Sequence, residues 1–171
     1  MRFRGAVLAV LLAVSACGGD AGSGLGRGDY FTQLQRVSET AHIQERGLRR
    51  DLRVRLERAD RPAERVIVLD VFVGQSARLY QDVVDALRAL EPPESVSARH
   101  DAYMSAWQGQ LDLTIKVRDA GFVGWVALRE ALEASVFDDA TVETRTRCEE
   151  LQSAVAASGE EVDLACGGRP A

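Results

Sequence analysis

Apolar residues recur at helical spacing through most of this chain, and prolines cut the pattern into helix-length pieces. From Tyr30 to about Asp60, residues Phe31, Leu34, Ala41, Leu48, Leu52 and Leu56 stand three, four or seven positions apart, the intervals that share one helix face. Asp29 is suited to cap that helix, because its carboxylate can accept from the unpaired N–H groups of the first turn. Asp60-Arg61-Pro62 makes a turn and places proline at the first position of a second helix, where its missing N–H costs nothing. The run Val66 to Val73 is rich in β-branched residues and alone would pass as a buried strand. Leu69, Val73, Ala77, Tyr80, Val84, Leu87 and Leu90 nevertheless continue at helical spacing through it, and no partner strand is evident, so the expectation is a helix.

Glu91-Pro92-Pro93 stops the second helix and Glu94-Ser95 starts a third, with Val96, Tyr103, Trp107 and Leu111 on one stripe and Ile115 and Val117 continuing it toward Gly121. Gly121 to Gly124 ends or kinks that helix, after which Phe122, Trp125, Leu128, Leu132 and Val136 predict that helical structure resumes. A last short helix is expected from around Asp139 through Val142, Cys148, Leu151 and Val155, with Gly159 as its stop. Short proline-containing turns between amphipathic helices predict an all-α fold: an antiparallel bundle of about four helices with a disulfide-tied C-terminal tail.

The first twenty residues obey a different logic. Arg2 and Arg4 precede an apolar run of nine residues, Ala6 to Val14, far short of the roughly 20 that span a bilayer as a helix. That is the pattern of a secretory signal peptide. The run ends in Val14-Ser15-Ala16-Cys17, which resembles the lipobox of bacterial lipoproteins: an aliphatic residue, two small residues and a cysteine. Val14 stands where that family most often has leucine. The resemblance implies that residues 1–16 are removed, that the Cys17 thiol carries a diacylglyceryl group, and that acyl chains hold the protein on the extracytoplasmic face of the cell envelope. Each buried methylene contributes about 0.8 kcal/mol, so more than one chain is needed for stable anchoring. The competing reading is an ordinary cleaved signal followed by a chance cysteine. Gly18 to Gly28 has six glycines in eleven residues, a composition expected to form a tether over 17–28, leaving 29–166 as the bundle and 167–171 as a tail.

With Cys17 acylated, the odd count of three cysteines resolves into one pair, Cys148 and Cys166. The two lie too far apart for a Cys-x-x-Cys redox motif and lack neighbouring histidines for a metal site, so a structural disulfide is expected. The formal charge is −5, and loss of Arg2 and Arg4 with the leader makes it −7, which argues against nucleic acid as a partner. The arginines of the first helix, Arg46, Arg49, Arg50, Arg53, Arg55 and Arg58, interleave with Glu45, Asp51 and Glu57 and read as a solvated face on which most charges can pair, with an anionic lipid or polyanion site as the alternative. The bundle is also similar to small helical ectodomains on uncharacterised lipoproteins of GC-rich bacteria. Leu90-Glu91-Pro92-Pro93, His100 and the Val162-Asp163-Leu164-Ala165-Cys166 ending carry that loose likeness, and it implies no activity.

Motifs for chemistry are fragmentary. Gly74-Gln75-Ser76-Ala77-Arg78 begins like a nucleophile elbow but lacks its final glycine and falls within a predicted helix. Glu39-Thr40-Ala41-His42 is half of the Glu-x-x-His pairing used by di-iron bundles, and His100 with Met104 one turn on would make an incomplete soft-metal pair. Glu39, His42, His100 and Met104 are therefore the metal-ligand candidates, without a full set among them. No cofactor and no enzymatic activity are expected. Gly47, Gly74 and Gly109, inside three helices, would mark close helix crossings or an opening in the bundle unless they are there by chance. The expected role is a lipid-anchored envelope protein whose helical domain binds or scaffolds a partner, most simply a protein. The alternative is a bundle that carries a small molecule or metal to a membrane transporter or enzyme.

The anchor has a direct test. Cys17→Ser is expected to abolish incorporation of labelled fatty acid and to release the protein from the membrane fraction; a variant that is still labelled would refute the assignment of Cys17.

Overall fold

The computed structural model describes residues 27–121 and 135–166, and within them the chain is helical, without strands. Helix α1 runs Arg27–Arg58, α2 Pro62–Arg88, α3 Glu94–Ala120 and α4 Ser135–Ala157. Residues 59–61 join α1 to α2 and residues 89–93 join α2 to α3. Turns this short return the chain alongside itself, so successive helices are antiparallel neighbours. In keeping with that, α1 packs on α2, α2 on α3 and α3 on α4.

The helix boundaries follow local chemistry. Pro62 opens α2 as expected, and the Glu64 carboxylate accepts from the Arg61 backbone N–H at 3.4 Å. The β-branched run 66–73 is helical, because only Leu69 and Val73 within it are buried, four residues apart on the inward face. Helix α1 starts at Arg27, two residues ahead of the expected cap, so residues 27 and 28 belong to the helix and not to the tether. Asp29 then lies in the first turn, where its negative charge opposes the helix dipole. Gly121 ends α3 with a φ of 63°, a left-handed conformation that glycine adopts without strain. The helical segment expected over 122–134 lies outside the described residues. Helix α4 begins at Ser135, a few residues before the expected start.

The core is drawn from all four helices. Leu34 of α1, Val84 and Leu87 of α2, and Leu151 and Val155 of α4 are shielded completely, and the two bulkiest groups on α3, Tyr103 and Trp107, are each only 1% exposed. Burying a side chain of this kind contributes about 1.5–3 kcal/mol. The tail is fixed by three devices. Leu164 is fully buried, Gln152 donates to the Val162 carbonyl and accepts from the Leu164 N–H at 2.6 Å, and Cys148 is bonded to Cys166 with a Cα–Cα distance of 5.4 Å. A bond spanning 18 residues restricts the unfolded chain by an amount on the order of 3 kcal/mol.

The internal glycines do not mark helix crossings. A methyl group added at Gly47, Gly74 or Gly109 would meet no atom within 4 Å. Each therefore leaves the unfolded chain more freedom with no packing return. Alanine at any of the three is expected to raise stability by up to about 1 kcal/mol. A urea midpoint that moves upward at unchanged slope would show it; a fall at any position would mean that the glycine serves a contact made in another state.

Candidate ligand cleft between the outer helices

Sequential packing leaves α1 and α4 as the outer helices, and their backbones scarcely approach one another. Between them, over the middle of α3, lies a cavity of about 270 Å³. His42, Glu45, Arg46 and Arg49 line it from α1; Tyr103, Trp107 and Gln110 form its floor on α3; Thr141, Thr144, Arg145 and Cys148 wall it from α4, with Cys166 of the tail beside them. At roughly 30 Å³ per water, this volume holds about nine waters or one small organic molecule.

Two buried polar atoms of its lining residues are unsatisfied. Among the described residues, the buried side-chain atoms that meet no hydrogen-bond partner are His42 Nε2 and Trp107 Nε1, and both residues line the cleft. A buried donor without an acceptor costs about 1–3 kcal/mol, so native structures seldom keep one without reason. The Trp107 N–H does exert a favourable pull on the Tyr103 oxygen, but it reaches no acceptor at hydrogen-bonding geometry. Trp107 is held rigidly by its rings, stacked obliquely on Tyr80 at 5.5 Å and edge-on to Tyr103 at 6.2 Å.

Neighbouring polar groups are satisfied internally. The Gln110 side-chain amide donates to Thr144 Oγ1 at 2.7 Å and to the Ala140 carbonyl at 3.3 Å, and the Thr144 hydroxyl donates to that carbonyl at 3.0 Å. Ser38 and Tyr103 share a buried hydroxyl pair at 3.0 Å, tying α1 to α3. These bonds span the helix interfaces and fix the depth of α3 relative to both outer helices.

Charge at the cleft is opposite in sign to that of the whole chain. Three guanidinium groups, of Arg46, Arg49 and Arg145, line it against one carboxylate. That carboxylate, Glu45, is already engaged by Arg49 at 2.7 Å. Arg46 and Arg145 make no ion pair among the described residues. Burial pushes the His42 pKa below the ordinary histidine range; Glu45 opposes that shift and Arg46 adds to it.

The four metal candidates do not converge. Glu39 is exposed and accepts from Gln35 at 2.8 Å, one face away from the inward His42. His100 uses both ring nitrogens: Nε2 donates to the Leu87 carbonyl at 3.2 Å, which can only accept, and Nδ1 therefore accepts from the Tyr30 hydroxyl at 2.9 Å. It is a structural histidine joining α1, α2 and α3. Met104 is half-buried against the core. No grouping of three or more metal-ligating side chains occurs among the described residues. Ser76, of the elbow-like stretch, is buried inside α2.

Of the cleft, sequence reasoning singled out His42 and the two cysteines, and read Tyr103 and Trp107 as core. Glu45, Arg46 and Arg49 were placed on the solvated face of the first helix, where most charges can pair, and Gln110, Thr144 and Arg145 were not singled out; the pairing joins Arg49 to Glu45 and, among the described residues, does not extend to Arg46. Ser38, Gln110 and Thr144 carried a signal: each is a polar residue buried within an otherwise apolar stripe. Comparison with known proteins returned no match, whether against family models, curated proteins or solved structures.

The buried histidines make stability depend on acidity. Burial holds both His42 and His100 below the ordinary value of 6.5, against opposing pulls from Glu45 on the one and from Asp101 and the Leu87 carbonyl on the other. Below pH 6.5 the unfolded chain takes up protons that the folded chain refuses, so the unfolded state gains. Stability is expected to be level above about pH 7 and to fall from about pH 6.5 downward, by at most about 1.4 kcal/mol per pH unit for each histidine. Urea titrations between pH 7.5 and 5 measure this, and His42→Gln with His100→Gln should flatten the slope whatever they do to its level. An unchanged slope would exclude the histidines as its source.

Proposed function

We propose that this chain is a lipid-anchored, non-enzymatic protein of the extracytoplasmic face of the cell envelope, whose helical bundle holds a small molecule in the cleft between α1 and α4. One observation carries the reading: the two unsatisfied buried polar atoms, His42 Nε2 and Trp107 Nε1, belong to residues that line the same cavity. A core evolved only for packing gains nothing from two orphaned groups around one cavity, whereas a binding site needs them free for its ligand. Holding rather than transforming the ligand fits the side chains present. Both cysteines at the cleft are tied up in the disulfide, and Thr144 has its hydroxyl committed within α4.

Anchoring through Cys17 places such a bundle beside membrane transporters and enzymes, to which a bound small molecule can be passed. No helix among the described residues is long and apolar enough to cross a membrane, so the attachment proposed here lies in the acyl chains. A second reading, a docking module for another protein, draws on Ile67 and Val71, which lie one turn apart on α2 and are 63% and 39% exposed. The cleft outweighs it, because single exposed apolar residues are common on protein surfaces whereas two orphaned buried polar atoms at one cavity are not.

Ligand-extraction mass spectrometry on the natively purified full chain tests the proposal. One small molecule is expected per chain, retained through gel filtration and lost in Trp107→Phe. Recovery of none, together with no thermal stabilisation by any member of a metabolite panel, would overturn it.

A further inference from the structure

Resting on the reading of the cleft as a small-molecule site, the donors and charges that line it specify what kind of molecule it takes. An indole N–H can only donate, so the ligand atom opposite Trp107 must be an acceptor. Trp107 is 1% exposed, its nitrogen is unpartnered, and the residue belongs to the floor of the cleft. The His42 ring nitrogen, also unpartnered, lies on the same lining and can supply a second donor.

The charges select among acceptors. The chain as a whole is acidic, with a formal charge of −5, yet the cleft gathers three arginines against Glu45 alone. Arg49 holds that carboxylate at 2.7 Å, which leaves the charges of Arg46 and Arg145 uncompensated on opposite walls, one on α1 and one on α4. A cationic or metal ligand would face repulsion from both. A neutral ligand would satisfy Trp107 and His42 but leave the two guanidinium groups without a counter-charge. Two positive groups on facing walls, with a donor beneath them, match a ligand bearing two negative charges on oxygen. The rest of the surface, formed by the rings of Tyr103 and Trp107 and the Cys148–Cys166 bond, accepts a compact apolar body.

We infer that the cleft binds a small organic dianion, a phosphate monoester or a dicarboxylate, with one oxygen accepting from the Trp107 indole and the two charges spanning Arg46 and Arg145. The ligand thereby closes the gap between α1 and α4 that the protein's own packing leaves open. Arginine serves here because its planar fork can engage two oxygens at once, which lysine cannot do. In this Arg46 differs from Arg55 further along α1, which is engaged by Asp51 at 2.6 Å.

The experiment is a titration of the full chain in detergent, followed by the indole ¹H–¹⁵N resonances. The sequence contains two tryptophans, so two signals are expected, and the one missing from Trp107→Phe is that of Trp107. Glycerol 3-phosphate and succinate are the probes, with inorganic phosphate as the bare anion and glycerol as the neutral control. The Trp107 signal should move downfield and saturate with at least one of the two organic dianions, respond more weakly to phosphate, and ignore glycerol. Arg46→Gln and Arg145→Gln, both at exposed positions, should each weaken that binding by about ten-fold, equivalent to about 1.4 kcal/mol. Because those variants leave the core intact, and because Trp125→Phe assigns the remaining indole signal to Trp107, the test survives even if Trp107→Phe does not fold. A Trp107 signal that shifts equally in the arginine variants, or responds to glycerol alone, overturns the dianion. If extraction recovers a neutral or cationic molecule while neither dianion shifts the signal, this inference fails and the small-molecule reading stands. If nothing is recovered and nothing shifts, both fail.

Discussion

Helix α3 has to satisfy two helices that do not satisfy each other. Three-residue and five-residue turns oblige α1, α2 and α3 to lie side by side, and α4 returns against α3, so α3 carries packing from both directions. Its buried face reflects that double duty. Tyr103 bonds Ser38 of α1, His100 bonds Tyr30 of α1 and the last turn of α2, and Gln110 bonds Thr144 of α4. Each of these buried polar groups would be costly without its partner, so together they fix the rotation and depth of α3 more sharply than apolar contact alone would. The gap between α1 and α4 follows from that arrangement, and Trp107 is buried in its floor.

The cleft is thus a by-product of topology. Its floor is rigid, because Trp107 is braced by Tyr80 and Tyr103, and its far wall is held by the disulfide that fastens the tail to α4. A donor that stays dry and fixed costs little reorganisation when an acceptor arrives. The polar groups that could compete, those of Gln110 and Thr144, spend their donors within the protein. What remains free is the indole N–H, one imidazole nitrogen and two guanidinium groups, a set whose only shared preference is for negatively charged oxygen.

Much of the fold was legible beforehand because helix spacing and proline are local signals. Pro62 and Pro92-Pro93 cut the chain where the structure turns, and Leu69, Val73, Ala77, Tyr80, Val84 and Leu87 all face inward as their spacing required. The pairing of Cys148 with Cys166 followed from counting thiols once Cys17 was assigned elsewhere. The cleft was hardly legible, since its members come from three helices and the tail, far apart in sequence. His42 attracted notice for the wrong neighbour, Glu39, which is exposed; the residues with which it shares the cavity, Trp107 and Arg145, are brought to it only by packing. The glycines misled for a related reason, because an open helix surface and a tight crossing demand the same residue and only the distances to the next helix distinguish them.

By itself the sequence determined the class of fold, the number of helices it could join by short turns, and the bond that closes the tail, since each depends on neighbours within a few residues or on a count. Only the tertiary structure decided which polar residues would be paired and which left over. Pairing depends on the rotation of each helix about its axis, a quantity set by the whole core at once. His100 and His42 show the difference. Both are histidines on helices with apolar neighbours, yet packing gives one two partners and leaves the other facing a cavity.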